Sequence, residues 1–424
     1  MSVDSVSIVG SGYVGMITGM GLCDLGFDVI FLDVDRSKID LINSRKPPIF
    51  EKGLSEMMQK KKGHYRATSD YNDAVKNSQV TIICVGTPSN DDGSIDLTYV
   101  KESAKSIGDS LKGKNGYHTI IVKSTVLPGT TLQVVKPALE ETSGKRAFEE
   151  FGLAMNPEFL REGVALDDFF NGDRIVLGSD DERTGSVLEE LYSKLDMTKM
   201  STGIMTAEMI KYASNSFLAL KISYANEIGN YCKKVGIDPY EVFRGVGLDS
   251  RISPKFFGSG IGFGGSCFPK DVNALRSDFR RLGLNPILLD GTIKVNDEQP
   301  LLMVDLMISR IGDLRGKTIG ILGLAFKPDT DDIRYTRALP IVKYLISKGA
   351  HVKAFDPKAT DHFKEIVPEI EYAENAEDVL DSDAVLLLTE WEEFRKLDFT
   401  NTAVFDGRRL KEASGARYYE GICW

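Results

Sequence analysis

A chain of 424 residues is too long for one core of ordinary size, and at roughly 150 residues per domain it predicts two or three domains. Hydrophobic residues make up 42% and charged residues 27%, the balance of a soluble globular protein, and no apolar run approaches the roughly 18 residues that cross a membrane. A formal charge of -10 argues against nucleic acid or an anionic membrane as a general partner, while leaving room for a local basic pocket that takes a phosphorylated small molecule. The stretch Met1-Ser2-Val3-Asp4 has no basic n-region, so no signal peptide is expected and the cytoplasm is the expected location. Cys23, Cys84, Cys232, Cys267 and Cys423 show no C-x-x-C spacing, which disfavours disulfides and structural zinc. Four histidines without an H-E-x-x-H cluster offer no ligand set, so no metal is expected.

In chain order, the first unit spans residues 1–203. Ser5 to Val9 reads as a buried strand, followed by Gly10-Ser11-Gly12-Tyr13-Val14-Gly15 and an amphipathic stretch to Leu25. A second strand, Asp28 to Leu32, ends in Asp33, about 20 residues past the glycines, where a carboxylate binds a ribose 2′-hydroxyl and repels a 2′-phosphate. This context predicts NAD over NADP, with Lys38 either near the adenosine ribose or on the solvated surface. Strands at Val80 to Val85 and His118 to Val122 end in Thr87 and Thr125, at the carboxyl edge where open parallel sheets bind ligands. After another apolar strand, Asn156-Pro157-Glu158-Phe159-Leu160-Arg161-Glu162-Gly163 brackets a bend with two carboxylates, a ligand loop or a charged loop.

The middle unit spans 204–300. Apolar spacing predicts one long helix from Ile204 to about Val235, ended by Gly236, with Lys211 and Asn215 on one face. Arg251 and Phe256-Phe257-Gly258-Ser259-Gly260 then lead into Gly262-Phe263-Gly264-Gly265-Ser266-Cys267-Phe268-Pro269-Lys270-Asp271. Glycines 262, 264 and 265 suit close approach to a ligand, and Pro269 suits the first turn of a helix. A helix start and Lys270 favour thiolate at Cys267, a nucleophile unless it is an inert turn cysteine. The third unit, 315–424, repeats the first: Thr318 to Leu322 runs into Gly323, and Val352 to Phe355 ends in Asp356. Its glycine loop is degenerate, so a second complete NAD is not expected. Lys327 and Arg334 there suit a diphosphate or sugar hydroxyls, or pair with the neighbouring aspartates. The expected fold class is α/β, two Rossmann-like doubly wound parallel-sheet domains joined by a long central helix.

Taken together, Gly10 to Gly15, Lys123 to Val126, Asn156 to Gly163, Ala207 to Asn215, Gly262 to Asp271 and Gly323 to Arg334 resemble the nucleotide-sugar 6-dehydrogenases, the UDP-glucose/GDP-mannose dehydrogenase family, over essentially the whole chain. The resemblance implies Cys267 as nucleophile, Lys211, Asn215 and Asp271 as its catalytic surroundings, Glu158 as an acid/base residue and Thr125 as helper. It puts Gly10, Gly12, Val14, Gly15, Asp33, Lys38, Thr87, Thr125, Glu162, Lys270 and Arg334 on NAD. It puts the sugar nucleotide on Glu158, Phe159, Leu160, Arg161, Glu162, Lys211, Asn215, Phe256, Phe257, Gly258, Ser259, Gly260, Gly264 and Lys327, with Arg251 reaching across a homodimer or larger homo-oligomer. Departures from the family are Phe263, where tyrosine is common, Lys52, where proline is common, and Leu127 beside Pro128. The implied reaction is a four-electron oxidation of UDP-glucose to UDP-glucuronate through a cysteine thiohemiacetal and thioester. GDP-mannose or a UDP-N-acetylhexosamine as substrate, a two-electron β-hydroxyacid-type dehydrogenase, and a non-catalytic NAD-binding scaffold are the alternatives.

Overall fold

Short apolar runs alternating with helices give each half of the chain a sheet buried on both faces. The computed structural model describes residues 3–424; Met1 and Ser2, on which part of the signal-peptide reading falls, lie outside them. The described residues divide into two compact units, the first ending at Ser214 and the second spanning Asn215–Trp424.

In the first unit, β1 (Ser5–Val9), β2 (Asp28–Leu32), β3 (Tyr65–Thr68), β4 (Val80–Ile83), β5 (Thr119–Val122), β6 (Gly152–Met155), β7 (Arg174–Ser179) and β8 (Thr198–Thr202) form one sheet in the order β3-β2-β1-β4-β5-β6-β7-β8. Every neighbouring pair is parallel except β6–β7. Alternate residues serve opposite faces: Ile8, Phe31, Ile82 and Ile121 join one core, and Val9, Ile30, Ile83 and Ile120 the other. Each such fully buried side chain contributes about 1.5–3 kcal/mol. The order reverses between β1 and β4, so the loops carrying Gly10 and Thr87 open at the topological switch point.

The helix Tyr13–Asp24 corrects the amphipathic expectation, because it is buried without interruption from Gly15 to Cys23. Its glycines permit that seat. A Cβ at Gly19 would lie 2.3 Å from the Phe31 ring, and one at Gly21 2.3 Å from the Phe169 ring.

The second unit repeats the first six strands. β9 (Thr318–Leu322), β10 (His351–Phe355), β11 (Glu371–Tyr372), β12 (Ala384–Leu387), β13 (Ala403–Asp406) and β14 (Tyr418–Gly421) pair in parallel in the order β11-β10-β9-β12-β13-β14. A 32-residue helix, Ile204–Val235, runs from the first unit into the second. At 1.5 Å per residue it is about 48 Å long. It ends at Gly236, whose left-handed φ of 77° lets its N–H reach the Cys232 carbonyl at 2.9 Å. Among the described residues, no helix is long and apolar enough to cross a membrane.

Candidate active site

The candidate residues fall into two sets, one in each unit. In the first, Gly10 takes φ 94° at the end of β1, and a Cβ at Gly15 would sit 1.9 Å from the Gly10 carbonyl oxygen, so the loop and the following helix close only with glycine. A Cβ at Gly12 or Gly86 would meet nothing within 4 Å, which leaves backbone at the switch point open to a ligand. Val14 lies in the first turn of the Tyr13–Asp24 helix. Asp33 follows β2 and accepts from Ser11 N–H at 2.7 Å, Ser11 Oγ at 2.6 Å and Asp35 N–H at 3.0 Å. Burial opposes its ionisation, but these donors and the Lys38 charge outweigh burial and hold the carboxyl below its usual range.

Three donors against about four lone-pair sites leave Asp33 capacity for a ribose hydroxyl. Asp356, in the matching place after β10, is filled: Leu324, Ala325, Lys358 and Ala359 N–H groups and Trp391 Nε1 all donate to it at 2.7–3.0 Å. The first unit therefore fits a dinucleotide, and the second acid does not repeat the fit. Thr87 and Thr125 are brought together, the Thr87 hydroxyl donating to the Thr125 carbonyl at 3.0 Å.

Glu158 and Lys211, 53 residues apart, meet in a buried ion pair of 2.8 Å. Leu160 N–H donates to the other carboxylate oxygen at 2.6 Å. Burial would raise the Glu158 carboxyl, but the charge and hydrogen bond of Lys211, then Leu160 N–H and the Lys123 charge, hold it below the usual range. Phe159 lies 5.4 Å from Lys211 Nζ and 4.0 Å from the Arg174 guanidinium. Arg161 points outward and pairs with Asp168, and Glu162 is half-buried.

The motif reading did not foresee the role of Lys123. Burial pushes its ammonium down to about 8, and Nζ donates to Asn156 Oδ1 at 2.8 Å. Asn156 in turn accepts from Tyr192 Oη and donates to the Val176 carbonyl.

In the second unit Cys267 is the N-cap of the helix Phe268–Arg281, its carbonyl accepting from Asp271 N–H at 2.9 Å, with Pro269 in the first turn. Cys267 is exposed, whereas the other four cysteines are buried. Burial pushes the Cys23 thiol up to about 11 and those of Cys84 and Cys423 up to about 12. The same helix start gathers Asn215, Lys270 and Asp271: Asn215 Nδ2 donates to Asp271 Oδ2 at 2.6 Å, and Lys270 pairs with Oδ1.

The glycines before Cys267 make room for the chain itself. A Cβ at Gly262 would meet Asn296 Oδ1 at 2.5 Å, at Gly264 the Tyr335 carbonyl at 2.5 Å, and at Gly265 the Phe326 ring at 2.8 Å. Asn296, absent from the sequence reading, accepts from Phe263 N–H at 2.7 Å and donates to the Phe263 carbonyl at 3.1 Å. Arg408, also missed, reaches the carbonyls of Gly262 and Phe326. Neither has a local motif that would reveal it.

Other predicted substrate residues are engaged within the unit. Phe257 stacks on Phe243 at 4.8 Å and takes Lys221 Nζ at 4.2 Å, Ser259 Oγ donates to the Ala225 carbonyl, and Gly260 N–H donates to Asn226 Oδ1. Phe256 holds a left-handed φ of 69°, while a Cβ at Gly258 would meet nothing within 4 Å. Arg251 pairs with Asp249 and Arg334 with Asp332, both guanidinium groups exposed; Lys327 Nζ lies 5.6 Å from the Phe326 ring.

Three family profiles match in succession: the UDP-glucose/GDP-mannose dehydrogenase family NAD binding domain over residues 4–196, its central domain over 205–298 and its UDP binding domain over 320–412. The UDP-glucose 6-dehydrogenase AglM of Haloferax volcanii is 45% identical over 98% of this chain and 99% of its own. The GDP-mannose 6-dehydrogenase of Pseudomonas syringae is 38% identical over 99% of this chain and 100% of its own. The structure of a UDP-glucose dehydrogenase from Pyrobaculum islandicum superposes with a TM-score of 0.96 and 42% identity, covering 100% of this chain and 98% of that one. With three consecutive domain profiles matched and near full-length relatives well above 30% identity, the chain belongs to the UDP-glucose/GDP-mannose dehydrogenase family.

Proposed function

We propose that the chain is an NAD-dependent UDP-glucose 6-dehydrogenase that takes the C6 primary alcohol of UDP-glucose to the carboxylate of UDP-glucuronate. The observation that carries the reading is Cys267, exposed at a helix start beside Asn215, Lys270 and Asp271 in a chain whose relatives include the UDP-glucose enzyme of Haloferax volcanii.

Bound NAD supplies the hydride acceptor for each of two oxidations. Gly10, Gly12, Val14, Gly15, Asp33, Lys38, Thr87, Thr125, Glu162, Lys270 and Arg334 would hold it. Asp271, with Thr125 holding a water, takes the alcohol proton as C6 loses its first hydride. The Cys267 thiolate then forms a C–S bond to the aldehyde carbon. The oxyanion of this thiohemiacetal is held by Lys211 and Asn215, each donor being worth about 2.7–4 kcal/mol if it acts as an oxyanion-hole group. That carbon still bears a hydrogen, so a second hydride leaves and a thioester remains. Glu158, kept ionised by Lys211 in the unliganded pair, activates the water that breaks the C–S bond and restores the thiolate.

In this reading residues 1–203 form the NAD domain, 204–300 a central dimerisation domain and 315–424 the sugar-nucleotide domain. Phe159 to Glu162, Phe256 to Gly260, Gly264 and Lys327 line the sugar nucleotide. The exposed apolar side chains Phe217, Tyr224 and Tyr231 on the long helix support a homodimer or larger homo-oligomer. Arg251 reaches the neighbouring site, and the protein works in the cytoplasm.

An NADH assay across UDP-glucose, UDP-N-acetylglucosamine, UDP-N-acetylmannosamine and GDP-mannose tests the reading. The expected outcome is preference for UDP-glucose with two NADH formed per sugar consumed, and loss of acid formation in Cys267→Ser. One NADH per sugar, preference for another sugar nucleotide, or unchanged acid formation by the variant would overturn it.

A further inference from the structure

Glu51 stands outside every motif of the sequence, yet in the first unit it receives hydrogen bonds from two loops that the proposed function uses. The side chain is buried at 6% exposure. Its Oε1 accepts from Ala165 N–H at 2.7 Å and its Oε2 from Gly163 N–H at 2.8 Å, the two amides where the Glu158–Gly163 loop meets the helix Ala165–Asn171. The Tyr13 hydroxyl donates to the same Oε2 and itself accepts from Gly163 N–H at 2.9 Å. Tyr13 lies between Gly12 and Val14 in the glycine loop. The opposite end of the Glu158–Gly163 loop is fixed by the Glu158–Lys211 pair. Three neutral donors converge on one buried carboxylate, an arrangement of charge-assisted hydrogen bonds that an amide cannot reproduce, since it offers one acceptor oxygen and adds two donors.

We propose that Glu51 and Tyr13 form a positioning clasp that ties the sugar-side loop Glu158–Gly163 to the dinucleotide glycine loop, holding Glu158 to Glu162 in place for the sugar nucleotide. The inference rests on the function proposed above. Both residues act through backbone amides, so they are positioning residues, and a kinetic split distinguishes them from mere supports of the fold.

Glu51→Gln and Tyr13→Phe are compared with the wild type by steady-state kinetics on UDP-glucose, by titration with ADP-ribose as a probe of the glycine loop and Asp33, and by amide hydrogen exchange. The expected result for Glu51→Gln is a loss of about ten- to a hundred-fold in kcat/KM, the size expected for a hydrogen bond to a charged group. ADP-ribose affinity stays within about twofold, and the Gly163 and Ala165 amides exchange faster. Tyr13→Phe keeps both amide bonds to Glu51, serves if the glutamine variant does not fold, and should lose less in the same direction. Unchanged kcat/KM in both variants, or ADP-ribose affinity that falls in step with turnover, overturns the clasp. A wild type that forms no NADH from any nucleotide sugar overturns the functional reading first, and the clasp as a device of that reaction with it.

Discussion

Replacing Lys211 by methionine leaves Glu158 buried without its principal counter-charge. The two side chains are 4% and 7% exposed and 2.8 Å apart, so the attraction is little screened by solvent. Removing one partner of a buried pair costs about 3–5 kcal/mol. Leu160 N–H and Lys123 still support the carboxylate, which places the expected loss near the lower end, about 3 kcal/mol. For a unit of this size that is a fall of roughly 6–12 °C in the unfolding temperature. Trp391 and Trp424 both lie in the second unit, so tryptophan fluorescence reports the wrong half. Hydrogen exchange of the Gly152–Gly163 segment reports the right one.

The pH dependence has a definite sign. In the wild type the folded carboxyl of Glu158 lies below its unfolded value of about 4.3, so the stability it contributes is fully present above that value and lost as pH falls through the lower folded one. In Lys211→Met the largest of the effects that offset burial is gone and the carboxyl moves up. The deficit against wild type is then largest at pH 8 and shrinks toward pH 5 as Glu158 takes a proton. Adding Glu158→Gln to the variant removes the stranded charge and should recover part of the loss. A deficit under about 1 kcal/mol at pH 8, or one that does not shrink by pH 5, would refute the reasoning.

Iodoacetamide at pH 8 should modify Cys267 first, leaving the four buried cysteines protected until the protein unfolds; comparable labelling of Cys84 or Cys423 would contradict the burial argument. Asp33→Ala should narrow the preference for NAD over NADP by about tenfold or more, read from kcat/KM with each cofactor, whereas a wild type that prefers NADP would contradict the strand-end reading. Gly264→Ala drives a Cβ to 2.5 Å from the Tyr335 carbonyl and should cost about 1–3 kcal/mol by urea unfolding, while Gly258→Ala, with nothing within 4 Å, should stay within about 0.5 kcal/mol. Equal effects would sink the packing account of the cysteine loop.

Local features are legible in the sequence, and partnerships are not. The strands Ser5–Val9, Asp28–Leu32 and Thr318–Leu322 and the helix Ile204–Val235 stand where their apolar runs and the residues that end them, Gly10, Asp33, Gly323 and Gly236, place them, because these signals are local. The helix start at Cys267 is legible for the same reason, through Pro269. Glu158 and Lys211 are each visible as motif residues, but their pairing spans 53 positions and no periodicity encodes it. Glu51 caps amides 112 and 114 residues away, and Asn296 braces Phe263 across 33. The cysteine-loop glycines show both sides at once. Their freedom is legible, yet what they make room for is Asn296, Tyr335 and Phe326, which only the fold brings near.

The two sheets share one strand order, so topology alone would give each a nucleotide crevice at its switch point. The difference lies in how each strand-end acid is satisfied. Asp33 spends three acceptor positions on Ser11 and Asp35. Asp356 receives five donors, one of them the Trp391 indole. A carboxylate with about four lone-pair sites that already holds five donors has no place for a ribose hydroxyl. The second sheet therefore keeps the strand order of the first without a strand-end acid that can take a ribose hydroxyl.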